Sequence, residues 1–146
     1  MITIIQRVSS ASVTVNNASI ATINQGIMAL VAIEKQDDPT HVEKLLQRIL
    51  NYRIFCDSDD RMNLSLKQIN GGLLLVPQFT LAADTNTGNR PSFTPAAAPA
   101  HGEKMFNHLI TTARYHHSTV ESGLFGANMQ VSLTNNGPVT FTLRSK

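Results

Sequence analysis

Ile27-Met28-Ala29-Leu30-Val31-Ala32-Ile33 is an unbroken apolar run of strand length, and Asp38-Pro39 follows it after a short polar turn. With no polar residue to face solvent, the run predicts a strand buried on both faces. The Asp38 carboxylate suits a helix N-cap. Pro39 suits the first helical position, where its missing N–H would have had no partner. Val42, Leu45, Leu46, Ile49 and Leu50 then recur at spacings that place them on one helical stripe. A two-faced strand followed by an amphipathic helix requires a sheet with a helical layer against it.

The flanks extend this frame. Upstream, Ile2 to Val15 is rich in β-branched residues and partly alternating, as in Ser12-Val13-Thr14-Val15, which predicts a strand. Asn16-Asn17 marks a tight turn, and Ala18 to Ile23 reads as the returning strand of a hairpin. Downstream, Asp57-Ser58-Asp59-Asp60 carries turn chemistry, and Leu73 to Val76 is a short buried strand entered from Gly71-Gly72. Ala83 to Pro99 loses all periodicity and reads as a long loop. A second helix is predicted over Ala100 to His117, burying Met105, Phe106, Leu109, Ile110 and Ala113. Strands are predicted at Val120–Phe125, Met129–Thr134 and Val139–Leu143. Two main helices among strands in mixed order predict an α+β fold, with a mixed or antiparallel, barrel-like sheet in one domain spanning 1–146.

Composition narrows the class. The 146 residues are 42% hydrophobic and 15% charged, the balance of an ordinary globular domain rather than a disordered chain. No apolar run approaches the ~20 residues that cross a bilayer, and Gln6-Arg7 interrupts the first apolar stretch before a secretory signal develops. A lone cysteine, Cys56, sits in the apolar Ile54-Phe55-Cys56 and reads as a buried thiol in a reducing compartment. A cytoplasmic protein with no membrane partner is expected. The net charge of +2 comes from scattered basic residues, which neither require nor exclude an RNA partner.

Metal and cofactor chemistry find little support. His41, His101, His108, His116 and His117 form no HExxH or paired-Cys pattern. There is no GxSxG elbow, and no GxxxxGK[ST] or GxGxxG to cradle phosphates, so no cofactor and no metal are expected. Three segments remain that make poor sense as simple core. Val76-Pro77-Gln78-Phe79-Thr80-Leu81 ends an apolar strand in polar residues, and Gly88-Asn89-Arg90-Pro91-Ser92-Phe93 lies in the long loop. Asn135-Asn136-Gly137-Pro138-Val139-Thr140 puts a Gly-Pro step between two strand patterns.

Together these segments resemble the D-aminoacyl-tRNA deacylase family, which carries a Ser-Gln-Phe-Thr-Leu type motif and an Asn-x-Pro-x-Thr motif near the C-terminus. The corresponding residues are Pro77-Gln78-Phe79-Thr80-Leu81 and Asn136-Gly137-Pro138-Val139-Thr140. The likeness extends to Gln6-Arg7-Val8, Ala11-Ser12-Val13, Tyr52-Arg53-Ile54-Phe55, Met62-Asn63-Leu64 and Met129-Gln130-Val131, nearly the whole chain. It implies hydrolysis of the ester of D-aminoacyl-tRNA, and of glycine mischarged on tRNA(Ala), by a protein that grips only the acceptor end. It also implies a homodimer with active sites at the subunit interface. Gly137-Pro138 would form a cis peptide inserted into the partner's pocket, where its backbone collides with L side chains. By the same resemblance, Gln78, Phe79 and Thr80 form the catalytic loop, with oxyanion donors among the amides near Phe79 and Thr80. Arg7, Pro77, Asn136 and Thr140 are expected as supporting residues. Thr80 has no histidine or carboxylate beside it in sequence, so water attack assisted by the tRNA 2′-OH is expected rather than a threonine nucleophile.

One position departs from the pattern. Pro77 stands where the family usually has Ser, and removes both a hydroxyl and an N–H. A sister group of tRNA deacylases with relaxed chiral discrimination resembles this motif with proline first. The alternatives to a D-specific hydrolase are therefore a relaxed-chirality deacylase, a non-enzymatic tRNA-end binding module, and a small-ester hydrolase using Thr80.

Overall fold

The computed structural model describes residues 1–145. Strand β1 runs over Ile2–Val15 and turns through Asn16 and Asn17 into β2, Ala18–Ile23. Both asparagines have φ near +50° to +60° (49° and 63°), the conformation a tight hairpin turn demands. Strand β3, Gly26–Ala32, pairs antiparallel with the first half of β1, while β2 pairs with its second half. Strand β6, Gly72–Pro77, lies parallel to β3, and the short β7, Val120–Ser122, lies parallel to β6. Strand β8, Gln130–Arg144, covers the other side of β1 along nearly its full length. The result is a six-stranded mixed sheet, curled until it is nearly a barrel.

The apolar run forms β3 because both faces of this sheet are covered. Ile27, Ala29 and Val31 join Leu73 and Leu75 in a core beneath the helices, whereas Met28 joins Leu74 and Val76 inside the curl with Val8, Val13 and Ile23. Helix α1, Pro39–Asn51, buries Val42, Leu45, Leu46, Ile49 and Leu50 completely in the first core. Each such side chain contributes about 1.5–3 kcal/mol of burial. Its N-cap is Asp38, which accepts the amide of His41 at 3.1 Å. Helix α3, Pro99–His116, lays Met105, Phe106, Leu109 and Ala113 beside it. The curl is drawn tight where β3 and β6 begin: a Cβ on Gly26 would lie 1.9 Å from the carbonyl oxygen of Gly72. Only glycine permits that approach.

Several elements differ from the sequence expectation. Arg53–Cys56 (β4) and Met62–Ser65 (β5) form a two-stranded sheet around the Asp57 turn, followed by the four-residue helix α2, Leu66–Ile69. These pieces are too short to carry a readable period, and Cys56, expected to be buried, is exposed at the end of β4. Strand β7 ends at Ser122 rather than Phe125, because Gly123 turns the chain away after bonding Leu75. Most consequentially, Met129–Thr134 and Val139–Leu143 are not separate strands. They are one strand, β8, with the Gly-Pro step carried as an outward bulge within it.

Candidate active site

The register of β8 builds the first candidate group. Gln6 pairs with Thr140 and Val8 with Asn135, so the segment between Asn135 and Thr140 faces Arg7 alone. The surplus backbone projects as a loop with Asn136, Gly137 and Pro138 exposed, and the Gly137–Pro138 peptide is cis. Gly137 has φ +141°, and a Cβ there would meet Val139 Cγ2 at 2.6 Å and Val139 N at 2.9 Å. Glycine is required by both measures. Arg7 reaches across the base of the loop: its Nε donates to the Asn136 carbonyl at 2.9 Å and its Nη1 to the Ile54 carbonyl at 2.8 Å. The guanidinium thus ties the loop to β4. Thr140 is held by the amide of Gln6, Nε2 to Oγ1 3.2 Å.

The second group sits where β6 runs out. Pro77 pairs with Val31 in the parallel ladder, and the Gln78 amide donates to the Val31 carbonyl at 2.8 Å. In that pattern the paired residue's own amide points away from β3. Position 77 therefore needs no N–H for the β3 ladder, and its ring fills the space toward Gly123 (Cδ would stand 3.3 Å from a Cβ there). A 3-10 turn follows at Phe79–Ala82. Its first amides, those of Phe79 and Thr80, have no acceptor within the turn. The Gln78 side chain donates to Thr80 Oγ1 at 2.6 Å and braces the turn from outside. Phe79 is exposed and leans on Phe93 of the long loop, ring centroids 5.1 Å apart. Beside the turn lies a pocket of about 310 Å³, walled by Val76, Pro77 and Phe79 on one side and Phe125, Met129 and Val131 on the other.

Sequence-named residues thus fall into two clusters: Pro77, Gln78, Phe79 and Thr80 in one, and Arg7, Asn136, Gly137, Pro138 and Thr140 in the other. Val131 walls the pocket next to Gln78, while Asn136 borders a separate hollow with Arg7 and Phe55, so the two clusters do not share a pocket on one protomer. A larger hollow of about 540 Å³ between α1 and the end of β8, lined by Glu43, Lys44, Arg48 and Arg144, touches neither cluster. Among the described residues no histidine or carboxylate hydrogen-bonds to Thr80, and no group of three His, Cys, Asp or Glu side chains could hold a metal. His101 and His117 are instead bonded to the carbonyls of Asp37 and Gly71. Asn135, whose side chain bonds both Val139 and Thr140, is the residue sequence reasoning passed over. Nothing in linear order separates it from Asn136.

The family model for D-Tyr-tRNA(Tyr) deacylase matches residues 4–144, which contains both clusters. The chain belongs to that family. D-aminoacyl-tRNA deacylases of Methylococcus capsulatus (strain ATCC 33009 / NCIMB 11132 / Bath) and Pseudomonas fluorescens (strain Pf0-1) are similar along their length. The first is 56% identical over 99% of this chain and 94% of its own, the second 54% over 97% and 98%. Among solved structures, the c-Myc DNA Unwinding Element Binding Protein superposes with a TM-score of 0.96 at 35% identity, covering 100% of this chain and 99% of that one. A structure described as a probable eukaryotic D-amino acid tRNA deacylase shares the fold, with TM-score 0.84 at 17% identity over 97% of each chain. Membership of the deacylase family makes the chain a hydrolase.

Proposed function

We propose that this chain hydrolyses the ester joining a D-amino acid, or glycine, to the 3′ end of tRNA, and that it rejects L-aminoacyl esters with the Gly137–Pro138 backbone of a second copy. One observation carries the reading: the Gln78–Thr80 turn and the Gly-Pro loop are both exposed, yet on one protomer they lie on different strands and border different pockets. A loop supplied by another subunit would bring both groups to a single α-carbon. A homodimer with its sites at the interface meets that requirement.

The chemistry asks little of side chains. Water attacks the ester carbonyl, the resulting oxyanion is taken up by the open amides of Phe79 and Thr80, and the C–O bond to the ribose breaks. The ribose oxygen leaves with a proton, helped by the neighbouring 2′-OH, and the free amino acid departs. One preorganised donor of this kind is worth about 2.7–4 kcal/mol of barrier. Main chain presented by the Gly-Pro loop would face the α-ammonium group and leave room for hydrogen or a D side chain only. Selection of this kind works by clash rather than by a fitted pocket, which suits a protein acting on many amino acids in the cytoplasm. Among the described residues no helix is long and apolar enough to cross a membrane.

The test is deacylation of D-Tyr-tRNA, L-Tyr-tRNA and Gly-tRNA by the purified protein, with sedimentation to set its mass. Loss of the D and glycyl esters by a dimer, with the L ester spared, is expected. Cleavage of all three overturns the filter and favours the relaxed-chirality reading. Cleavage of none overturns the enzyme reading.

A further inference from the structure

We propose that Asn135 is a positioning residue for chiral selection, holding the exit of the Gly137–Pro138 loop as Arg7 holds its entrance. The inference rests on the functional reading above and adds a residue to it.

The loop has little backbone support of its own. It stands outside the β1 ladder between the Val8–Asn135 and Gln6–Thr140 pairs, and Pro138 brings no N–H. Its anchors are side chains. Arg7 takes the Asn136 carbonyl at 2.9 Å on the way in. On the way out, the Val139 amide donates to Asn135 Oδ1 at 2.9 Å, and Asn135 Nδ2 donates to Thr140 Oγ1 at 3.0 Å. The orientation of that amide group is not arbitrary. A backbone N–H can only donate, so the Asn135 atom facing Val139 is the oxygen, and the nitrogen must face Thr140. Asn135 therefore spans the base of the loop, fixing the residue directly after Pro138 to the strand position where the ladder resumes. Gln6, donating to the same Thr140 hydroxyl at 3.2 Å, secures that position to β1.

A residue with this role acts on selectivity more than on chemistry, because it touches the filter and not the Gln78–Thr80 turn. Removing its side chain frees two hydrogen bonds and strands a half-buried amide, enough to depopulate one loop conformation by about tenfold. In Asn135→Ala the ratio of D-Tyr-tRNA to L-Tyr-tRNA deacylation is expected to fall about tenfold or more, mainly through faster L-ester cleavage. Asn135→Asp keeps an acceptor for Val139 and loses only the donor to Thr140, so it should retain most of the discrimination. It also serves if the alanine variant folds poorly. Asp37→Asn, remote from both clusters, supplies the control for destabilisation alone: its melting temperature should drop with the ratio unchanged. A folded Asn135→Ala protein that discriminates as well as the wild type overturns the inference and leaves the deacylase reading intact. A wild-type protein that never cleaves the D ester removes the reading on which the inference stands.

Discussion

Thr80 is the one hydroxyl in the Phe79–Ala82 turn proposed to be catalytic, and truncating it separates two mechanisms by magnitude. In the structure its Oγ1 accepts a single side-chain bond, from Gln78 Nε2 at 2.6 Å, and no base adjoins it. A neutral hydrogen bond of that kind contributes about 0.5–1.5 kcal/mol, so Thr80→Ala should slow the reaction by about two- to twelvefold. Removal of a true nucleophile costs on the order of 10⁴–10⁶ in turnover. The assay is single-turnover deacylation of D-Tyr-tRNA at saturating enzyme, which reports the chemical step without product release. Gln78→Ala should lose about as much as Thr80→Ala, and the double variant no more than either, because all three remove one interaction. A loss beyond a thousandfold in Thr80→Ala, with Gln78→Ala nearly intact, would refute water attack and install Thr80 as the nucleophile.

Other outcomes follow from the same geometry. Gly137→Ala must relieve contacts of 2.6 and 2.9 Å and hold φ near +141°, so about 1–3 kcal/mol of loop strain is expected. The D-to-L deacylation ratio should fall roughly five- to 160-fold, with little change in melting temperature because the loop is exposed. Arg7→Lys keeps the charge but cannot serve the Asn136 and Ile54 carbonyls from two separate nitrogens, so the same ratio should drop while kcat on the D ester changes by only a few-fold. The Asp57 carboxylate is held below the ordinary aspartate range, first by the Arg61 amide and then by the amide of Asp59 and the side chain of Asn63. A lowered group stabilises the fold above its unfolded value and loses that contribution as pH falls through its folded value. Asp57→Asn should therefore show a shallower loss of stability on acidification below about pH 4 in a thermal melt. Leu46→Ala opens a cavity in a fully buried position and should cost about 2–5 kcal/mol by denaturant unfolding, without altering selectivity.

How much of this was legible in the sequence depended on whether the signal was periodic. The α1 stripe, the Asn16-Asn17 turn and the uninterrupted run of β3 each express a repeat or a local conformational demand, and all were readable. The β4–β5 hairpin and α2 were not, since elements of four residues present no period and are held by neighbours. The Gly-Pro step was misplaced for a related reason. In linear order Asn-Gly-Pro ends a strand, and only the long pairing of β8 with β1 shows that the ladder resumes beyond it. The site residues were nominated by resemblance. Their grouping is a matter of register, which no motif states: Arg7 meets Asn136 because the bulge in β8 opens at that row of β1.

Pro77 shows how far such a register can alter the reading of a motif. In linear form, a proline in place of serine removes a hydroxyl and an amide N–H from the candidate loop. In the parallel ladder, however, it is the Gln78 amide that bonds Val31, and the amide of residue 77 is directed toward β7, which has already ended. The backbone therefore keeps its strand without that N–H, and the ring packs toward Gly123 and Met129 at the pocket wall. Since the Gln78 amide is committed to Val31, the amides that the proposed mechanism can use are those at the start of the 3-10 turn, Phe79 and Thr80. On the proposed mechanism, proline restricts where an oxyanion can be held without disturbing the Gly137–Pro138 loop, which belongs to β8 and is braced by Arg7 and Asn135. On the proposed reading, catalysis and selection are built on different strands of the sheet, so substitution in one can leave the other in place.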